Sequence, residues 1–228
     1  MIRHLTATGA ALLLLAAPAV LGQAVPPKPP AATLAANPPA ATLAANPRGV
    51  YATIDLRAAQ EMITRLSATT GRRAAIREVL KDPSAHMPPV LYALANALAV
   101  DDPDGAVFWY HVGRVRAVYD GLRCRDVTAR SEVTVLGQTL LSLDLRKILG
   151  YERDLIVASA KKAIEWDSKN PRNYDQRWIA LYGKVAAASP GTDPAEILLP
   201  ESEWPAILQK VHETHLKSVQ DFAEKKGR

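Results

Sequence analysis

Apolar side chains recur every three to four residues along most of the chain from Tyr51 onward, which is the spacing of one face of an α-helix. The clearest case is the stretch from Met87 to Arg123. It opens with Pro88-Pro89, and proline is tolerated in a first helical turn because the N–H that it lacks would have no partner there. Asp102-Pro103 marks a second helix start, with the aspartate as N-cap. The pattern therefore predicts two antiparallel helices joined by a tight turn.

Weaker stripes of the same period extend this prediction to most of the remaining chain. They indicate helices over residues 55–69, 72–80, 140–149, 151–167 and 174–188, and a last helix capped by Ser202. From Cys124 to Gly137 the pattern fades, and we predict an ordered loop there, since a single β-branched stretch is not a sheet. The expected fold is all-α, with packed antiparallel helical hairpins in one domain over residues 51–228.

The N-terminal region has a different composition. Residues 1–23 have a basic start at Arg3, an apolar run and small residues at the end, and they predict a secretory signal peptide. An uncleaved membrane anchor is the alternative. Residues 24–50 are rich in Pro and Ala and contain a nine-residue tandem repeat, which predicts a disordered linker that is either a spacer or a neutral duplication. The expected location is the bacterial periplasm or the cell exterior, with no membrane span after signal cleavage.

Composition and charge argue against some classes of function. The chain has 228 residues, 48% hydrophobic and 22% charged, which is ordinary for a globular protein. The net charge of +5 is modest, and for an exported chain it argues against nucleic-acid binding. The sequence has no glycine-rich phosphate loop, no Gly-x-Ser-x-Gly turn and no cysteine cluster. These absences favour a non-catalytic protein without a cofactor, although an enzyme stays an alternative.

The second predicted helix carries the motif Ala106-Val-Phe-Trp-Tyr110, and Ala163-Ile-Glu-Trp-Asp-Ser-Lys-Asn-Pro-Arg-Asn-Tyr174 echoes a helix-to-helix junction. Together they resemble tetratricopeptide and Sel1-like helical-hairpin repeats, and residues 108–120 resemble uncharacterised exported bacterial proteins. The repeat resemblance implies wide surfaces without built-in chemistry. We therefore expect protein–protein interaction in the bacterial envelope, with an inhibitor or immunity partner as a special case.

The densest basic region supplies the candidate binding residues. Guanidinium groups there match a carboxylate, a phosphate or an acidic protein face. The alternative is a helix end that favours cations, with some charge paired to Asp120. A small-anion or ligand-binding protein, or an enzyme, centred near Cys124 is thus the rival function. The candidates are Arg114, Arg116, Arg123 and Arg125, with Trp109 and Tyr110 on the second predicted helix and with Cys124 and His111 nearby.

Two further features of the sequence resemble reactive or metal-binding sites. His212-Glu-Thr-His215 places its histidines three residues apart, whereas the zinc-protease motif needs four, so no metal site is expected. Cys124 is the only cysteine and cannot form an internal disulfide. Its flanking arginines could favour a thiolate, but no partner histidine is evident, and a buried, idle thiol is the simpler expectation.

Overall fold

The computed structural model describes residues 48–188 and 197–225. The predicted signal peptide, the tandem repeat and almost all of the predicted linker lie outside these residues. Within the described ranges the chain is helical, and the exception is an isolated antiparallel bridge between Cys124 and Leu198. The all-α prediction is confirmed. The helices are α1 (Arg57–Ser67), α2 (Arg72–Lys81), α3 (Pro88–Leu98), α4 (Pro103–Arg123), α5 (Ala129–Thr139), α6 (Leu143–Tyr151), α7 (Arg153–Lys169), α8 (Lys184–Ala188) and α9 (Trp204–Lys225).

The α3–α4 hairpin lies at the centre of the fold. As predicted, Asp102 caps α4, and its Oδ1 accepts a hydrogen bond from the Gly105 N–H at 3.0 Å. Gly113 allows the two helices to approach closely, because a Cβ there would lie 3.3 Å from the Leu91 Cβ and 3.4 Å from the Pro88 carbonyl oxygen. The antiparallel hairpin therefore depends on a cap and a small residue that are both visible in the sequence.

The other helices surround this hairpin. α1 packs on α3, while α7 and α9 pack on α4 and on each other. The described residues also form short 3-10 helices. Gly49–Thr53 precedes α1, Pro83–Ala85 lies between α2 and α3, Trp178–Tyr182 lies between α7 and α8, and Glu201–Glu203 leads into α9. No helix in the part of the chain that the structure describes has both the length and the apolar character needed to span a bilayer.

The predicted loop over residues 124–137 is wrong, because α5 covers Ala129–Thr139. Ala129, Val133 and Leu136 lie at helical spacing and are buried in the same hydrophobic cluster as the 3-10 helix Trp178–Tyr182. α5 contacts both that 3-10 helix and α4. Tertiary packing thus overrides the weak helix propensity of its β-branched residues.

The single helix predicted over residues 174–188 is also wrong. Tyr174 precedes the 3-10 helix Trp178–Tyr182, and the short helix α8 follows. Side-chain hydrogen bonds hold this segment in place. The Tyr174 hydroxyl and the Trp178 indole N–H both donate to Asp120, and the Val185 N–H donates to Asp126. These contacts cannot be predicted from the helical spacing of apolar residues alone.

Candidate functional site

A cleft of about 640 Å³ lies between α4, α6 and α9, with the start of α7 at one end. We call it the α4–α9 cleft. Its volume is within the range of about 300–1,000 Å³ that is usual for small-molecule sites. Its surface is mainly aliphatic, and the apolar lining residues are Val115, Val118, Leu122, Leu141, Leu149, Ile156, Val211, Val219 and Phe222.

Helical spacing explains how α4 and α9 form the two long walls. On α4, Val115, Val118 and Leu122 follow at intervals of three and four and share one face. On α9, Val211 and Val219 are two turns apart on the face that packs toward α4 and α7, and both are buried. The cleft therefore lies where the apolar faces of α4 and α9 do not pack directly against each other, and these faces supply its aliphatic lining.

The charged residues of the cleft are all basic. Arg114, Arg146 and Lys210 line it, and no carboxylate does so within residues 48–188 and 197–225. Two of these cations are held by backbone carbonyls: the Arg114 Nη1 donates to the Val133 oxygen at 2.9 Å and the Arg146 Nε to the Leu141 oxygen at 3.1 Å. The cleft is thus apolar and positively charged.

Two histidines from distant parts of the chain meet in the wall of the cleft. The His111 Nδ1 lies 3.0 Å from the His215 Nε2, so one ring donates a hydrogen bond to the other. Burial, and to a smaller extent the neighbouring His215, lower the pKa of His111 to about 3. Burial, the Arg114 charge and His212 lower the pKa of His215 to about 4. Both rings are therefore neutral at neutral pH.

A second polar cluster lies deeper in the fold and contains two of the candidate arginines. We call it the ion-pair network: Arg116, Asp120, Arg123, Asp167, Arg172 and His212. The Arg116 Nε donates to the Asp167 Oδ1 at 2.9 Å, and both side chains are inaccessible to solvent. Asp167 Oδ2 also accepts hydrogen bonds from Arg172 and, at 2.9 Å, from the His212 Nε2. The network joins α4, α7, α9 and the segment that follows α7.

The other half of the network surrounds Asp120. Its carboxylate accepts from the Arg123 Nη2 at 2.7 Å, the Trp178 Nε1 at 2.8 Å and the Tyr174 hydroxyl at 3.0 Å. The Arg123 guanidinium also lies 4.1 Å from the Tyr119 ring and 4.4 Å from the Trp204 ring. Aromatic faces stabilise a cation at these distances. Arg116 and Arg123 are therefore buried in the interior and are not accessible to a ligand.

The structure separates the six residues that the sequence singled out. Tyr110 and Arg114 line the cleft, while Arg116 and Arg123 belong to the ion-pair network. Arg125 is exposed and donates to the Leu198 carbonyl oxygen at 3.0 Å. Trp109 is 8% exposed and packs on Phe108 and Trp166. The basic region around Cys124 is thus divided between surface, cleft and interior.

Neither the cysteine nor the histidine motif forms a reactive or metal-binding centre. Cys124 is 1% exposed, and burial raises the pKa of its thiol to about 11, which keeps it protonated at neutral pH. His212 and His215 bond to different partners, Asp167 and His111. The described residues contain no cluster of histidine, cysteine and acidic side chains suited to a metal ion.

Sequence reasoning placed His111 near the candidate arginines but missed His215, Arg146 and Lys210 as residues of the same site. The only available signal was the spacing of Val211, His215 and Val219 at intervals of four on α9, which marks one helix face. Nothing local indicates that His215 meets His111, because 104 positions separate them.

Comparison with known proteins gives no further lead: no protein-family model, curated protein or solved structure matches this chain. The resemblance to tetratricopeptide and Sel1-like repeats stays a prediction, and the functional argument rests on geometry and charge.

Proposed function

We propose that this protein, after export from the cytoplasm, binds an amphipathic anion such as a long-chain carboxylate in the α4–α9 cleft. The observation that carries the proposal is the composition of the cleft: an aliphatic lining, three cations, and no carboxylate among the described lining residues. Such a surface favours a ligand with a hydrocarbon part and one negative head group.

The chemistry of each part supports this ligand class. Transfer of a hydrocarbon chain from water to the aliphatic lining is favourable by about 0.8 kcal/mol for each buried CH₂ group. Arg114 provides the binding position for the head group, since a guanidinium pairs with a carboxylate through two parallel hydrogen bonds. Because Val133 already fixes one of its nitrogens, Arg114 is positioned before the ligand arrives.

Binding, rather than catalysis, is the function that these residues support best. The two histidines in the wall of the cleft bond to each other. The cationic side chains supply attraction and orientation. A carrier or scavenger of amphipathic acids in the envelope needs no more than this.

Calorimetric titration with dodecanoate and with dodecanol tests the proposal. We expect Arg114→Gln to weaken dodecanoate binding at least about tenfold, the equivalent of about 1.4 kcal/mol. Dodecanol binding should change little, because the alcohol has no charge for Arg114 to pair with. Equal losses for both ligands would contradict the assignment of Arg114 to the head group.

A pair of tryptophan substitutions on α9 tests the location. Ser218 is exposed and lines the cleft, so Ser218→Trp should fill it and abolish binding of both ligands. Glu213 is exposed on the same helix but does not line the cleft, and Glu213→Trp should bind like the wild type. If the two variants bind alike, the ligand lies elsewhere.

The protein-partner hypothesis from the sequence is the second candidate, and one observation favours it. Leu143 and Tyr151 are 51% and 80% exposed, and both lie on α6, a helix that contributes other residues to the cleft. Exposed apolar patches of this kind often mark protein contacts. A protein partner would depend on Tyr151, which is not part of the cleft lining, whereas a small ligand would not.

A further inference from the structure

We propose that the His111–His215 pair takes up a proton when an anion binds in the cleft, so that anion binding strengthens as the pH falls. The inference rests on the proposed function, which it deepens by coupling the ligand to a proton.

The geometry of the pair permits one additional proton. In the neutral pair one ring nitrogen donates across the 3.0 Å contact and the other accepts. If His215 gains a proton from solvent, its Nε2–H donates to the lone pair of the His111 Nδ1, and the hydrogen bond is kept. A second proton would place two N–H groups against each other and break it. The pair is therefore built to hold a single positive charge.

Among the described residues that line the cleft, none supplies a negative counter-charge to the pair. The charged and titratable groups near it are Arg114 and Tyr110 on α4, Lys210 and His212 on α9, and Arg146 on α6. None of them is an acid that carries negative charge at neutral pH, and the nearby Asp167 is bonded to His212 instead. Burial thus opposes protonation of both rings, and the Arg114 charge opposes that of His215. On α7, the Ile156 backbone acts in the opposite direction on the pKa of His111 but does not outweigh burial.

An anion bound to Arg114 changes this balance. It neutralises the guanidinium that disfavours protonation of His215, and it brings a negative charge to the same wall of the cleft. An opposite charge within about 4–6 Å raises a pKa by about 1–3 units. Starting from a pKa of about 4 in the free protein, His215 would then titrate between about pH 5 and about pH 7 in the complex.

Calorimetry with decane-1-sulfonate tests the inference, because this probe stays ionised and only the protein can titrate. At about pH 5, titrations in two buffers of different ionisation enthalpy should show uptake approaching one proton, and the affinity should be about tenfold higher than at about pH 7. His215→Gln should bind without proton uptake. His86→Gln, which alters a histidine outside the cleft, should behave like the wild type.

Each result decides a different point. Binding without proton uptake overturns this inference and leaves the proposed function standing. Uptake that persists in His215→Gln overturns the assignment to the pair. No binding of the sulfonate at either pH overturns the proposed function and the inference with it. Imidazole ¹⁵N chemical shifts of the wild type, with and without sulfonate, give the same answer without a variant, and unchanged shifts would overturn the inference.

Discussion

The α4–α9 cleft and the ion-pair network contain arginines from the same helix, but the surroundings of these arginines differ in burial and in charge. Arg114 lines the cleft, where no carboxylate of the described chain accompanies it. Arg116, two residues later, is fully buried against Asp167. Residues two apart on a helix point to different sides, so neighbours in sequence have unrelated environments. The comparison teaches that the carboxylate partner, and not the density of arginines, distinguishes a structural cation from a binding one.

Asp167 accepts hydrogen bonds from three side chains of the network. Burial alone would raise the pKa of this carboxyl, but the hydrogen bond from His212 and the charges of Arg172 and Arg116 outweigh it, and the pKa is lowered. The carboxylate therefore stays ionised at neutral pH. No carboxylate is among the described residues that line the cleft beside Arg114, and we propose that the head group of the ligand supplies this charge.

The largest effect should come from removing a charge from the network. Asp167→Asn keeps the shape of the side chain but leaves buried Arg116 without its counter-ion, which typically costs about 3–5 kcal/mol. We expect a loss of that size in the free energy of unfolding, measured by urea denaturation followed by circular dichroism. Asp144→Asn is the matched control, because its ion pair with Lys147 is exposed and contributes at most about 1 kcal/mol.

Similar stabilities of the two variants would contradict the comparison. In that case the Asp167 counter-ion would not be needed by Arg116, and it would no longer distinguish Arg116 in the interior from Arg114 in the cleft.

The features that the sequence predicted correctly are those with local causes. Asp102-Pro103 starts α4 because the cap and the proline act within one turn. α5 was missed because Val133 and Leu136 become a buried face only when the distant residues 178–182 pack on it. The same holds for the site: both histidine positions were visible, but only the tertiary fold brings His111 to His215.

The surroundings of the arginines also depend on contacts between distant parts of the chain. The sequence predicted some pairing of charge around Asp120, and Arg123 does bond to it. It could not indicate that Trp178 and Tyr174 complete the shell of Asp120, because they come from a segment that local spacing predicted to be a regular helix. Which arginine remains for a ligand is therefore decided by long-range contacts.

A smaller effect should appear in the pH dependence of stability of the ligand-free protein. The pKa of each histidine of the pair lies near its ordinary value of about 6.5 in the unfolded chain and is lowered on folding. Their contribution is fully present above about pH 6.5 and is lost as the pH falls toward about 4, because the unfolded chain binds protons first. We expect a loss of about 1–3 kcal/mol between about pH 7 and about pH 5.5.

Protonation of Asp167 does not contribute to the change in stability between about pH 7 and about pH 5.5. Its lowered pKa gives a contribution that is present above the ordinary value of about 3.9 and disappears only at lower pH. Burial lowers the pKa of His86 as well, so this histidine contributes in the same direction across this pH range. The share of the pair is the part of the pH dependence that His215→Gln removes from the urea denaturation curve, with His86→Gln as the control. A wild-type stability that does not vary over this range would show that the pair is not held neutral by the fold.

The smallest effect should come from Arg125, the candidate that belongs to neither region. It is exposed, and its side chain donates a hydrogen bond to the Leu198 carbonyl oxygen. Arg125→Ala should lower the free energy of unfolding by at most about 1 kcal/mol, since a solvent-exposed bond of this kind is largely replaced by water. Dodecanoate affinity, measured by the same calorimetric titration, should stay within about twofold of the wild type, because the charge lies outside the cleft. A loss equal to that of Arg114→Gln would move the ligand to the arginines around Cys124, and the contrast between cleft and network would no longer explain which arginine binds.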